Sequence, residues 1–464
     1  MKKIVITLVC CLGGLINFTV LAVPPLTHNH LPQGWIAKNF EPVGYTDLDG
    51  RPAFKMSIKE QDGRWYLFAA HIFHSGLTVL DVTDPKNPRP LTFIPEDPNS
   101  FTLQVDLSGD IMITSLEKNF LDPTTQGKPF SEGVQIWNIK NPENPKRLGH
   151  FKTGGTGTHR NFYAGGQYMH LAAGMPGYNG NIYVIVDISD PANPVEAGRW
   201  WVKGQHEAGG EKLGLGADSD PINHHHDHNM LTMDHGLCGT DADISLHGPP
   251  YIIGNKAYLS YGSAGLIILD ISDVKNPKQL GNLDFSPPFN SKFGVHGVLP
   301  YQNEQLAFAN SESVTYDKGP LHHASIIDIS NPQKPILLGL LPEPVPPKNS
   351  TYKDFFEKGG WRGPHNINHL QHNPDVEKFG DLLYITYFNA GLRAFDISNP
   401  RLPQEVGYFM APEPSKRIGY LPHGKLVLQA EDVLVDRRGY AYISHKNQGI
   451  WIVKYTGETP KINP

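Results

Sequence analysis

Apolar residues in this chain fall in short β-branched runs, each ending in an acidic or amide residue and a turn, and the pattern repeats. The first copy reads Val79-Leu80-Asp81-Val82-Thr83-Asp84-Pro85-Lys86-Asn87-Pro88. It returns from Ile136 to Pro145 and from Ile185 to Pro194, and again around Asp270, Asp328 and Asp396. A seventh copy, Ile450-Trp451-Ile452-Val453-Lys454-Tyr455, lacks the turn. Copies recur every 50 to 80 residues or so (roughly), a spacing that suits repeated four-stranded sheets better than helical repeats.

Proline fixes φ and removes a donor, so it ends the run, while Asp and Asn side chains cap the turn. A second short run follows, as in Leu148-Gly149-His150-Phe151 and Val406-Gly407-Tyr408-Phe409. Each copy therefore predicts a hairpin joining the third and outermost strands of a blade. Two more strands lie upstream, for example at 305–309 and 381–387. With 40 Pro and 47 Gly, no long stretch keeps a 3.6-residue apolar period. Four strands in seven copies predict an all-β chain, a seven-bladed β-propeller of antiparallel blades.

An open ring would expose unpaired strand edges. Glu41-Pro42-Val43-Gly44-Tyr45 has the wording of the outer strand Gln404-Glu405-Val406-Gly407-Tyr408. An N-terminal strand near 40–46 is thus expected to pair with 448–455 and complete the last blade.

The chain has 464 residues and a net charge of −6 without a basic cluster, which argues against a nucleic-acid partner. Residues 1–22 read as a signal peptide: Lys2 and Lys3, an apolar core from Ile4 to Leu21, then Val20-Leu21-Ala22. A retained anchor is the competing reading of that stretch. Cleavage would leave Cys238 as the sole cysteine of a single 23–464 domain, without a disulfide framework. A periplasmic or secreted protein of a Gram-negative bacterium is expected, with no membrane attachment after cleavage. Three long links, 201–246, 342–364 and 410–425, fall on one face and predict a lidded mouth over the central channel.

Histidine recurs where the innermost strands begin: His159, His247, His296 and His365, with Glu431 in the last blade. Residues there point at the axis, and imidazoles beside a carboxylate suit a transition metal. The competing reading is a ring of polar groups that hydrogen-bond neighbouring blades together. His71, His74 and His445 sit in loops on the same face, as do His322 and His323. They are candidates for supporting or substrate contacts. In the 201–246 insertion, His224, His226 and His228 can share one side of an extended chain and join the site; a loosely metal-binding loop is the alternative.

The wording of Ile267-Ile268-Leu269-Asp270-Ile271-Ser272 and Ile326-Ile327-Asp328-Ile329-Ser330 resembles the LVIVD-repeat family of bacterial β-propellers. More distantly, the axial histidines resemble those of the selenium-binding-protein and methanethiol-oxidase propellers, a likeness that implies copper-dependent thiol oxidation. The chain has no cysteine motif outside Cys238.

Two functions follow. One is a metal-dependent oxidase of a small molecule, with copper favoured and zinc or iron compatible. The other is a non-catalytic scaffold gripping a protein or glycan through mouth-loop aromatics: Trp201, Tyr352, Phe355, Phe356, Trp361 and Tyr420.

Overall fold

The computed structural model describes residues 31–120, 122–211, 244–285, 293–312 and 322–458. The expected signal segment, most of the 201–246 insertion and Cys238 lie outside them. All seven repeat runs are strands: Gly76–Asp81, Gly133–Asn138, Asn181–Asp187, Leu266–Asp270, Ala324–Asp328, Leu392–Asp396 and Ile450–Tyr455. Each pairs antiparallel with the strand before it and, on its other side, with an outer strand. These runs are buried along nearly their whole length because neighbouring sheets cover both faces, which is why they read as continuous apolar stretches.

The sheets are four-stranded except one of nine strands. That one consists of two successive four-stranded units joined through the single pair Gly157 and Glu117, with the short strand Ser100–Phe101 added. The result is a β-propeller. The only α-helix among the described residues is Phe355–Lys358, and no described helix is long and apolar enough to cross a membrane.

The repeat turns are built alike. Asp81, Asn138, Asp187, Asp270, Asp328 and Asp396 each accept the backbone N–H two residues on, at 2.8 to 3.0 Å. Residues three further along, Asp84 and Asn141 among them, repeat the same turn at once. The glycine of the outer strand has a steric reason. A Cβ on Gly149 would collide with the Pro191 carbonyl, on Gly198 with that of Val274, and on Gly44 with that of Pro85. These outer strands therefore pack directly on the turn of the next sheet. The Gly44 contact carries this arrangement from the last sheet onto the first.

Ring closure follows the expected register: Phe40–Thr46 pairs with Ile450–Tyr455, Phe40 opposite Tyr455 and Thr46 opposite Ile450. One element was not expected. Ile36–Lys38 pairs with Gln404–Met410 of the preceding sheet, so the N-terminal segment straps two sheets.

Candidate functional site

Second strands of the sheets are apolar along most of their length and turn polar as they reach one end of the channel. Ile111–Lys118 ends in Leu116-Glu117-Lys118, and Leu306–Glu312 ends in Asn310-Ser311-Glu312. Beside them, the innermost strands are locally irregular. Pairing slips between Thr158 and Asn161, between Phe293 and Gly297, and between Ala430 and Val433. An irregularity of this kind re-aims side chains that strict alternation would send to opposite faces. The three slips bracket His159 and Arg160, His296, and Glu431 and Asp432.

Four histidines meet there. Ring centroids run 4.4 Å from His159 to His247, 4.9 Å on to His296 and 4.8 Å on to His365. All four are buried. At the centre of this arc is Glu312, which sequence reasoning missed. Its Oε2 is 3.1 Å from His247 Nε2 and 3.6 Å from His296 Nε2, and its Oε1 is 3.2 Å from His365 Nε2. His247, His296 and Glu312 offer ligand atoms all within 4.8 Å of one another. Donors about 2.0–2.1 Å from a tetrahedral ion stand about 3.3 Å apart, so these separations suit a shared ion.

The hydrogen bonding leaves ring nitrogens facing inward. His365 Nδ1 lies 2.7 Å from the Glu431 carbonyl, an acceptor, so it donates there, and its Nε2 faces Glu312. His159 Nδ1 is 2.7 Å from Glu117 Oε2, while its Nε2 has no partner among the described residues. An acidic side chain bracing one ring nitrogen while the other is left open resembles the usual support of a metal-binding histidine. Neither ring nitrogen of His296 has a hydrogen bond among the described residues. Burial pushes His159 down to about 3, His247 to about 4 and His296 well below the ordinary value, so these rings are neutral at pH 7. Burial favours the neutral acid at Glu312, but His296, His247 and His365 together hold it well below the usual carboxylate range. Burial raises Glu117 to about 8.

Glu431, expected among the ligands, is placed at the edge of the arc. Its Oε1 takes Lys446 Nζ at 2.6 Å, and its Oε2 is 3.7 Å from His365 Nδ1. The carboxylate at the middle of the histidines is Glu312 instead. The loop histidines differ among themselves. His71 donates to the Pro52 carbonyl at 3.0 Å and accepts from Thr78 at 2.7 Å, so both nitrogens are used in holding the fold. His323 is committed likewise to Gly294 and Ser325. His74 is half-buried, His322 lines a separate surface cavity, and His445 is fully buried. His224, His226 and His228 lie outside the described residues.

A small cavity of about 50 Å³ opens above the arc. Its walls combine His159, Arg160, His247, Glu312, Glu431 and Lys446 with Phe54, Ile72, Phe101, Leu103, Phe120, Phe293, Trp361 and Leu421. Trp361 comes from the 342–364 link and Leu421 from 410–425, so two of the three long links contribute to the roof. The stem of the third is pinned by Gln205, which donates to the Asn179 carbonyl and accepts from Tyr261.

The LVIVD repeat model matches residues 177–201, 251–284, 325–341 and 374–411. The chain thus carries four segments that match the LVIVD repeat. Its matched segments contain the turns at Asp187, Asp270, Asp328 and Asp396, with the outer strands that follow them. No curated protein matches the chain. Among solved structures, it is similar to the β-propeller domain of Myceliophteria thermophila Cps50 (Swd1), at 9% identity over 88% of this chain and 98% of that one, TM-score 0.48. It is also similar to the computationally designed Ika8 protein, at 8% identity over 89% and 99%, TM-score 0.46. A putative 6-phosphogluconolactonase from Bacteroides uniformis shares 12% identity over 74% and 84%, TM-score 0.41. The LVIVD-repeat propeller is therefore recognised by its repeats and its own sheet pairing.

Proposed function

We propose that this LVIVD-repeat protein is an exported, seven-bladed propeller that holds a transition metal at its channel mouth and acts there on a small molecule. The observation that carries the reading is the convergence of His247, His296 and Glu312 within 4.8 Å, all three buried. Such a cluster is rich in donor atoms and poor in water, and a cation there would neutralise the buried carboxylate at its centre. His247, His296 and Glu312 are the ligands, His365 stands at the other oxygen of Glu312, and Glu117 orients His159 from behind. A metal bound there would supply Lewis-acid or redox chemistry. The protein's part is to hold the donors, to keep the imidazoles neutral, and to shield the centre from water with the aromatic roof.

Copper is the favoured ion, since imidazole-rich sites suit it, with zinc and iron compatible. Oxidation of a small molecule is the reaction class, in line with the distant likeness to the selenium-binding-protein and methanethiol-oxidase propellers. We place the protein in the periplasm or outside the cell, as one domain over 23–464, with residues 1–22 removed.

The scaffold reading is less well supported. Of its contact aromatics, Phe355 and Trp361 are buried and only Phe356 is exposed. The deciding experiment is elemental analysis of protein purified without a His-tag. About one equivalent of transition metal is expected, falling sharply in His296→Ala and His365→Ala. Sub-stoichiometric metal that these substitutions leave unchanged would sink the proposal.

A further inference from the structure

Two arginines of this chain are buried to within 1% of full coverage, and they are treated differently. Arg393 is satisfied: Nε donates to the Ala390 carbonyl at 3.0 Å, and Nη1 reaches Glu405 at 3.2 Å. Arg160 is not. Its Nε and Nη1 have no hydrogen-bond partner among the described residues, and its guanidinium lies over the Phe54 ring at 4.9 Å. Burying donors without acceptors is costly, so their retention calls for an acceptor that arrives from outside. Arg160 lines the cavity above the histidine arc.

The same wall states the shape of the acceptor. Lys446 is already taken by Glu431 at 2.6 Å, which leaves the guanidinium as the open cation. Around it, Phe54, Phe101, Phe293, Trp361, Ile72 and Leu421 are apolar. A planar guanidinium matches a carboxylate in a two-pronged bond, and the apolar wall suits a hydrocarbon body. Charges lining the cavity cancel, Arg160 and Lys446 against Glu312 and Glu431. A divalent ion among the histidines would leave two positive charges in excess.

We propose that the ligand of this site is a small organic carboxylate with an apolar tail, its anionic head held by Arg160 beside the metal. This rests on the metal reading for its surplus positive charge, and on the unpartnered guanidinium for its position.

The test uses mature, tag-free protein titrated calorimetrically with phenylacetate and with its neutral counterpart phenylacetamide, alongside metal analysis of each sample. Phenylacetate is expected to bind at least about tenfold tighter. Arg160→Gln should reduce it to the level of the amide while metal content stays unchanged. Arg160→Lys, which keeps the charge and loses the planar fork, should retain part of the preference and guards against a folding defect in the first variant. Equal binding of acid and amide, absence of binding by either, or a preference untouched by Arg160→Gln would overturn the proposal. The two readings fail separately. Metal at full occupancy without anion preference removes the carboxylate, whereas an Arg160-dependent preference in protein that carries no metal removes the ion.

Discussion

The repeat turns and the channel mouth use the same kinds of residue to opposite ends. At the turns, half-buried Asp and Asn side chains each make a solvent-exposed bond to a backbone N–H two residues away, six times over. At the mouth, histidines and carboxylates from separate sheets meet each other, buried. Polar groups at the turns satisfy themselves locally and remain in water. Those at the mouth are taken out of water and held part-satisfied, which is what a binding site requires and a frame avoids. Stability and chemistry are thus separable in this molecule, and that separation can be attacked from both sides.

The largest effect is expected at the mouth. Glu312→Ala should weaken metal binding at least about a hundredfold, measured by competition with a chelator, while the unfolding midpoint moves little. A loss under about tenfold would mean that Glu312 is only a hydrogen-bond acceptor. On the frame, Gly198→Val drives a side chain into the Val274 carbonyl of the next sheet and should cost about 3 kcal/mol in denaturant unfolding. Metal content per folded molecule should not change.

Acid should strike the frame through its buried neutral histidines. Burial lowers His71 and His323 from 6.5 to about 4. Between those values the unfolded chain binds protons that the folded one refuses, so stability is complete above pH 6.5 and falls as pH drops towards 4. Each ring contributes about 3 kcal/mol over that window. His323→Gln should flatten the slope of stability against pH by one proton's worth; an unchanged slope would refute the assignment. The smallest effect belongs to a single turn. Asn138→Ala removes the bond to the Lys140 N–H at 2.9 Å and should cost about 1 kcal/mol, with the metal site untouched.

Sequence reasoning found the histidines of the mouth because they recur at one place in the repeat. It overlooked Glu117 and Glu312 although both end second strands, where His71 and His445 were noticed. The cue was present, a carboxylate closing an apolar strand, but only imidazoles were followed. Glu431 was chosen for its alignment with the histidines, and alignment could not reveal that Lys446 would claim it.

By itself the sequence determined the repeated hairpins, the position of their turns and the strand that closes the ring. Those depend on alternation, proline and bonds between residues two apart, all written in neighbouring letters. Only the tertiary structure decided which charged groups share the buried mouth, which of them cancel, and which, like Arg160, are left open. The partners there come from strands far apart in the chain, and slips in strand pairing re-aim their side chains by amounts that no local pattern encodes.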